Sequence, residues 1–284
     1  TLVQSAVRPE SGEVHLRNVR QLTFGGQNAE AYFSASGRQL IFQRKGPTEQ
    51  CDQMFTMGVD GSGMRRVSSG RGRNTCGWFY KHDGRIFYAS TEAADSVCPP
   101  RPDQSKGYVW GLFPYDIYTA KPDGSDKRAL TKNGVYTAEG TLSPDGKTIV
   151  FTSLKAGALE IYTMNVDGSH VRRLTHALGY DGDPAFSPDG KLIVYRAFHP
   201  QTPADSAEYL SLLRARLVRP LRIDIWVMNA DGSDQRMVIH LPAPNFAPSF
   251  HPDGKRIIFA SSYLHPEGLN FDLFLVNLDG TGLE

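Results

Sequence analysis

The sequence predicts an all-β fold, a β-propeller of four-stranded antiparallel blades, and three observations carry that reading. First, one phrase returns five times: an acidic or amide residue, two apolar or aromatic residues, then a closing Asp-Gly turn. It stands as Asp116-Ile117-Tyr118 to Asp123-Gly124, Glu160-Ile161-Tyr162 to Asp167-Gly168, Asp224-Ile225-Trp226 to Asp231-Gly232 and Asp272-Leu273-Phe274 to Asp279-Gly280, with a weaker copy from Gln53-Met54-Phe55 to Asp60-Gly61. Second, a Pro-Asp-Gly turn recurs between these phrases, as Ser143-Pro144-Asp145-Gly146, Ser187-Pro188-Asp189-Gly190 and His251-Pro252-Asp253-Gly254, with Ser34-Ala35-Ser36-Gly37 as a degenerate member. Third, β-branched and aromatic runs such as Thr148-Ile149-Val150-Phe151 and Arg256-Ile257-Ile258-Phe259 follow those turns, and alternation beside Asp-Gly is the strongest short-range hairpin signal.

Each unit therefore reads as four strands, a to d: a strand into the Pro-Asp-Gly turn, the β-branched run, a loop and the acidic phrase, then a closing run such as Val171-Arg172-Arg173-Leu174-Thr175. A repeat of roughly 40 to 50 residues is the length of a propeller blade, and radial repetition shields the edges of short sheets. Five repeats are encoded. The segment Asn18-Val19-Arg20-Gln21-Leu22-Thr23 matches a d strand but precedes the first a strand, while the last unit reaches Thr281-Gly282-Leu283-Glu284 where its own d strand begins. An N-terminal strand closing the last blade is the expectation, because it removes two unpaired edges at once. The repeat runs without a linker, so residues 1–284 read as a single domain, with long b–c loop insertions at 91–115 and 199–222.

Composition narrows the function. Hydrophobic residues make up 40% and charged residues 21% of the 284, with a net charge of +1, which excludes a disordered chain and leaves no global electrostatic footprint for nucleic acid. No apolar run approaches the roughly 20 residues of a membrane-spanning helix. A start at Thr1 rather than Met fits removal of a targeting segment. Cys51, Cys76 and Cys98 permit either three thiols or one disulfide and a free thiol, the latter suiting an oxidising compartment. Cys76 to Cys98 and Cys51 to Cys98 are both open pairings.

Topology also assigns faces. The a–b and c–d turns lie at one end of every blade, so the b–c loops, the d–a crossovers and both insertions lie at the other. In the second insertion Thr202 reads as a helix N-cap with Pro203 in the first turn, and Tyr209, Leu210, Leu213 and Leu217 share a side. The first insertion is stiffened by Pro99, Pro100 and Pro102 and is aromatic around Trp110. Aligning repeats on the a–b turn glycine places Glu30, Gly77, Glu139, Asp183 and Ala247 at one position, and Asn28, Thr75, Thr137, Asp181 and Asn245 two residues earlier. Both rings are expected at the channel mouth, because a strands line the channel of a propeller. Three carboxylates there can hold a divalent cation or receive a partner's Lys, Arg or amino terminus; they can equally bond backbone groups of the crossovers. Glu30, Glu139, Asp183, Asn28, Asp181 and Asn245, with Arg101, Trp110 and His199 on the loop face, are the candidate binding residues. No catalytic or nucleotide-binding motif appears, and no cofactor is called for.

The phrases Phe186-Ser187-Pro188-Asp189-Gly190-Lys191, Met228-Asn229-Ala230-Asp231-Gly232-Ser233 and Arg172-Arg173-Leu174-Thr175 resemble the WD40-like Pro-Asp (PD40) repeat of TolB-like β-propellers. The resemblance implies a propeller, usually six-bladed, and work in the bacterial envelope, where TolB itself engages a peptidoglycan-associated lipoprotein. It implies a periplasmic or extracellular, non-catalytic scaffold that binds a protein or peptide through its loop face. Two alternatives stay open: a substrate-screening accessory domain of a hydrolase or peptidase, and a metal-dependent propeller enzyme using His199 or His265.

Overall fold

The computed structural model describes residues 13–82, 84–105, 107–266 and 270–284. Blade 1 comprises β1 (Gln27–Phe33), β2 (Gln39–Lys45), β3 (Gln53–Gly58) and β4 (Arg65–Arg66); blade 2 comprises β5 (Asn74–Phe79), β6 (Ile86–Ser90), β8 (Asp116–Ala120) and β9 (Arg128–Ala129), with β7 (Trp110–Gly111) inside its insertion. Blade 3 is β10 (Thr137–Leu142), β11 (Thr148–Ser153), β12 (Glu160–Asn165) and β13 (Arg172–Arg173). Blade 4 is β14 (Tyr180–Phe186), β15 (Leu192–Phe198), β17 (Asp224–Asn229) and β18 (Arg236–Ile239), with helix α1 (Pro203–Arg214) and β16 (Leu217–Val218) in its insertion. Blade 5 is β19 (Asn245–Phe250), β20 (Arg256–Ser261) and β21 (Asp272–Asn277). The fold is an all-β, five-bladed propeller, and no described helix is long and apolar enough to cross a membrane.

Local chemistry explains the repeat. Pro144 presets the a–b turn, Asp145 accepts the Ser143 hydroxyl at 2.6 Å, and Gly146 takes φ +75°, where a Cβ is disfavoured. The acidic residue of the phrase is a latch: Asp116 accepts the Thr131 hydroxyl (2.8 Å), whose oxygen accepts the Ile117 N–H (2.9 Å). Glu160 with Thr175 and Gln53 with Ser68 repeat it, tying the end of each d strand to its c strand.

The core lies between blades. Ile41 and Met54 meet Phe79, Ile86 and Tyr88; Phe87 and Ile117 meet Ile149, Phe151 and Met164. Val150 and Ile161 meet Ile193, Tyr195 and Met228, and Val194 and Ile225 meet Ile257, Phe259 and Val276. Each such side chain contributes about 1.5–3 kcal/mol on leaving water.

Two expectations change here. The N-terminal strand does not close blade 5: Glu284 already holds the first d-strand place, exchanging backbone bonds with Leu275 at 2.8 and 3.0 Å, and residues 18–23 lie in no strand. The ring is also open. The residue after the acidic position is 0–1% exposed as Met54, Ile117, Ile161 and Ile225, but Leu273 is 58% exposed. On the opposite side Phe33 is 66% exposed, whereas its equivalents Phe79 and Phe250 are 5% and 7% exposed. Among the described residues no hydrophobic cluster joins blade 5 to blade 1.

The two insertions do share a face, and they meet there. Leu217 pairs with Gly111 and Val218 with Trp110, and Leu112 N donates to Arg216 O at 2.8 Å. Helix α1 has the expected N-cap, with Thr202 Oγ1 accepting from Asp205 N at 3.1 Å. Tyr209 and Leu213 are buried, whereas Leu210 is exposed and Leu217 belongs to β16. A Cys51–Cys98 disulfide anchors the blade 2 insertion to the b–c loop of blade 1 and leaves Cys76 free.

Candidate functional site

Every innermost strand carries a β-bulge at the same height, where pairing slips between Ala29 and Tyr32, Thr75 and Trp78, Ala138 and Thr141, Gly182 and Ala185, and Phe246 and Ser249. The first bulged residue is left-handed each time: Glu30 (φ 52°), Cys76 (52°), Glu139 (58°), Asp183 (54°) and Ala247 (49°). A non-glycine residue there carries about 1 kcal/mol of strain. Its five-fold recurrence makes the channel ring a built feature. Cys76, not Gly77, holds the blade 2 place, because the turn glycine Gly84 stands one residue later in its hairpin than Gly37 or Gly146 in theirs.

The ring is stitched from blade to blade. Glu139 Oε2 accepts the Asp183 N–H of the next blade at 2.9 Å, the Asp183 carboxylate accepts from the Ala247 backbone, and Glu30 bonds the Cys76 thiol. Arg196, on β15, forms the hub. Its Nη2 lies 3.0 Å from Glu139 Oε1, its Nη1 3.5 Å from Asp183 Oδ2, and its Nε donates to Tyr180 Oη at 2.8 Å. The guanidinium sits over the Trp110, Phe246 and Tyr180 rings at 4.9, 5.5 and 5.7 Å. Burial works against its charge, but Tyr180, Asp183 and Glu139 hold it protonated.

Arg196 thus supplies a cation to two of the three ring carboxylates, Glu139 and Asp183. Burial raises the Asp183 carboxyl, and Arg196 opposes that rise. At Glu30 the surrounding protein, then Asp183 and Glu139, raise the carboxyl to about 7; the side chain is nevertheless exposed to channel water, which screens these effects. Among the described residues, no three His, Cys, Asp or Glu side chains converge in a way that could hold a metal ion.

Beside the ring, the paired insertions line a partly open cavity of about 540 Å³. Glu30, Cys76, Glu139 and Arg196 form its floor, Trp110, Phe113, Tyr115 and Tyr136 its aromatic walls, and Arg101 lies on its rim. Arg101 is exposed, with no hydrogen bond or ion pair among the described residues. Such a chamber can accept an apolar or aromatic side chain and fix its polar end through Arg101 or Glu30.

The structure brings Glu30, Glu139, Arg101 and Trp110 to this chamber and Asp183 to the channel just below it. The second predicted ring does not open there. Its members are Asn28, Asn74 (in place of Thr75), Thr137, Asp181 and Asn245, and all but Asn28 are buried. Asn245 donates to Ile223 O and Ala243 O, at 2.7 and 3.1 Å. Asn28 is exposed on the open side of blade 1 and accepts from Arg44 at 3.0 Å. His199 lies outside the chamber, 2.9 Å from Asp181 and edge-on to Trp226. Arg196 and Cys76 escaped sequence reasoning. A signal for Arg196 existed: a lone charge inside the apolar strand Leu192–Phe198, where other blades carry Gln43, Ala89, Thr152 or Ala260.

Residues 114–207 match the PD40 family, the TolB beta propeller domain. No curated protein matches the sequence. A putative TolB from Agrobacterium tumefaciens is similar at 19% identity and a TM-score of 0.64, over 91% of this chain and 80% of that one. TolB from Acinetobacter baumannii gives 16% identity and 0.65 over 90% of this chain, which spans about half (53%) of that protein. Hydrazine synthase from Kuenenia stuttgartiensis gives 14% and 0.67, over 93% of this chain and 39% of that one. At these identities likeness speaks to fold alone. In fold the chain is similar to TolB propellers, and its residues 114–207 match the PD40 repeat.

Proposed function

We infer that this chain is a non-catalytic propeller scaffold that binds a protein or peptide partner through its loop face in the bacterial envelope. The observation that carries the reading is the partly open cavity beside the insertions. Two insertions from different blades pair beside the channel mouth to line it, and Arg101 and the exposed Glu30 lie among its lining residues. Aromatic walls with a few fixed polar groups are the composition of a site that holds one anchoring side chain of a partner. An envelope location rests on the likeness to TolB and on the Cys51–Cys98 disulfide, which persists in oxidising compartments.

The test compares capture from a bacterial envelope extract by the native chain and by an Arg101→Glu variant, which reverses the exposed charge on the rim and leaves the packed Trp110 in place. We expect one or more proteins held by the first and lost at least tenfold by the second, with no change in unfolding midpoint. Equal capture by both would remove the chamber from the binding surface. Neutralising Glu139 or Asp183 is a poor test, because both are paired to Arg196 and the fold responds.

A further inference from the structure

We propose that, given a loop face that takes a protein or peptide partner, Arg101, Arg214 and Arg216 form a basic rim that selects a partner segment rich in Asp and Glu. Arg101 lines the cavity, whereas Arg214 and Arg216 stand outside its lining.

Pairing of the two insertions assembles the rim. Arg216 immediately precedes Leu217, which pairs with Gly111, and the Arg216 carbonyl accepts the Leu112 N–H at 2.8 Å. Pro102 packs beside that same Gly111, its ring 3.1 Å from where a Cβ would stand, and so brings Arg101 to the joint. Arg214 ends helix α1, one residue before the cap Ala215.

Ion pairing then divides the cations into two kinds. The 199–222 insertion carries four arginines, Arg214, Arg216, Arg219 and Arg222, against two acids, Asp205 and Glu208. Both acids are engaged: Arg222 lies 2.7 Å from Asp205 and Arg219 3.0 Å from Glu208. These pairs tie the chain after β16 back to helix α1 and give Arg219 and Arg222 a role in the fold. Arg101, Arg214 and Arg216 are exposed, with no hydrogen bond or ion pair among the described residues. Asp103, the acid closest to Arg101 in sequence, accepts the Ser105 N–H and hydroxyl at 2.9 and 2.7 Å.

Helix chemistry accounts for only one of the three. A cation in the last turn is favoured by the helix dipole, which suits Arg214. Arg216 stands in the left-handed region at φ 58°, directly after the cap, where glycine is the usual residue. Nothing in helix termination calls for a guanidinium there.

Guanidinium groups grip carboxylates in bidentate pairs. Three spare cations fall short of the clusters of about four to eight that draw a protein to an anionic membrane. They also fall short of the roughly six to ten phosphate contacts made on DNA, and a net charge of +1 adds no long-range attraction. A short acidic segment matches the rim, and the aromatic walls beside it can take an apolar neighbour in the same segment.

The test measures binding of the whole chain to two fluorescent peptides that each contain a Trp, one with Glu and the other with Gln at alternate positions. We expect the Glu peptide to bind at least about tenfold more tightly, and an Arg214→Glu/Arg216→Glu double variant to lose that preference. Arg214→Gln/Arg216→Gln removes the charges without adding new ones and should fall between variant and parent, with an unchanged unfolding midpoint. Equal binding of the two peptides by the parent would overturn the proposal, as would tighter binding to phosphatidylglycerol vesicles than to the Glu peptide. Both double variants leave Arg101 in place. Capture of an envelope protein that Arg101→Glu abolishes and both double variants retain would therefore overturn the rim while the cavity reading stands.

Discussion

The seam between blades 3 and 4 and the flank of blade 5 are written in nearly the same letters and end differently. At the seam Ile161 is fully buried against Ile193 and Tyr195, and the ring residues Glu139 and Asp183 share Arg196. At the flank the equivalent Leu273 is largely exposed, Ala247 brings no carboxylate, and Glu30 faces channel water. Burial in a propeller is therefore a property of neighbours: the repeat prepares both faces of each blade, and only an adjacent blade turns that preparation into stability.

The largest effect is expected at the closed side. Arg196→Leu leaves the partly buried Glu139 and Asp183 without their counter-charge, and removing one partner of a fully buried ionic cluster costs about 3–5 kcal/mol, an upper bound here. Urea unfolding of the variant should show that loss, whereas Glu30→Gln, at the exposed member of the same ring, should fall within about 0.5 kcal/mol of the parent. Next comes a matched pair. Ile225→Ala opens a cavity in the seam between blades 4 and 5 and should cost about 2–5 kcal/mol; Leu273→Ala, at the same place in the repeat, should change stability by less than about 0.5 kcal/mol. If the two cost the same, the flank is covered in solution. Replacing Cys51 and Cys98 with Ser should lower stability by about 2–4 kcal/mol. The loss would fall on the anchoring of the blade 2 insertion, read as faster proteolysis of residues 95–110.

The contrast also explains which parts of the molecule were legible. Turns are local: Asp-Gly and Pro-Asp-Gly set backbone angles within four residues, so five blades, the side on which the insertions stand and the N-cap at Thr202 could all be read from the chain. The channel ring was readable to within one residue, and the slip at Gly77 arose because alignment on Gly84 ignores its later place in the turn. Closure was misjudged because Asn18–Thr23 truly has d-strand character; which blade such a strand completes depends on the arc of the whole ring, a non-local quantity. Arg196 was invisible for the same reason. Its three aromatic and two acidic contacts come from the blade 2 insertion, blade 3, blade 4 and blade 5, and no spacing rule brings them together.

The smallest predicted loss at a closed-side contact concerns His199, which sits beside Asp181. Burial disfavours its charge, but the hydrogen bond and the negative charge of Asp181 outweigh that and raise its pKa above the ordinary histidine value. A raised folded-state pKa means that the imidazolium is favoured by folding. Its contribution is complete below the unfolded-state value of about 6.5 and fades as pH rises through the folded-state value. His199→Asn keeps a donor for Asp181 but no titratable charge. The parent should thus exceed the variant by about 1.5 kcal/mol at pH 5.5, the scale of a hydrogen bond to a charged group, and the gap should narrow steadily towards pH 9 in urea titrations. A gap that is constant across that range would mean that packing against Trp226, at 4.9 Å between ring centroids, is what His199 contributes.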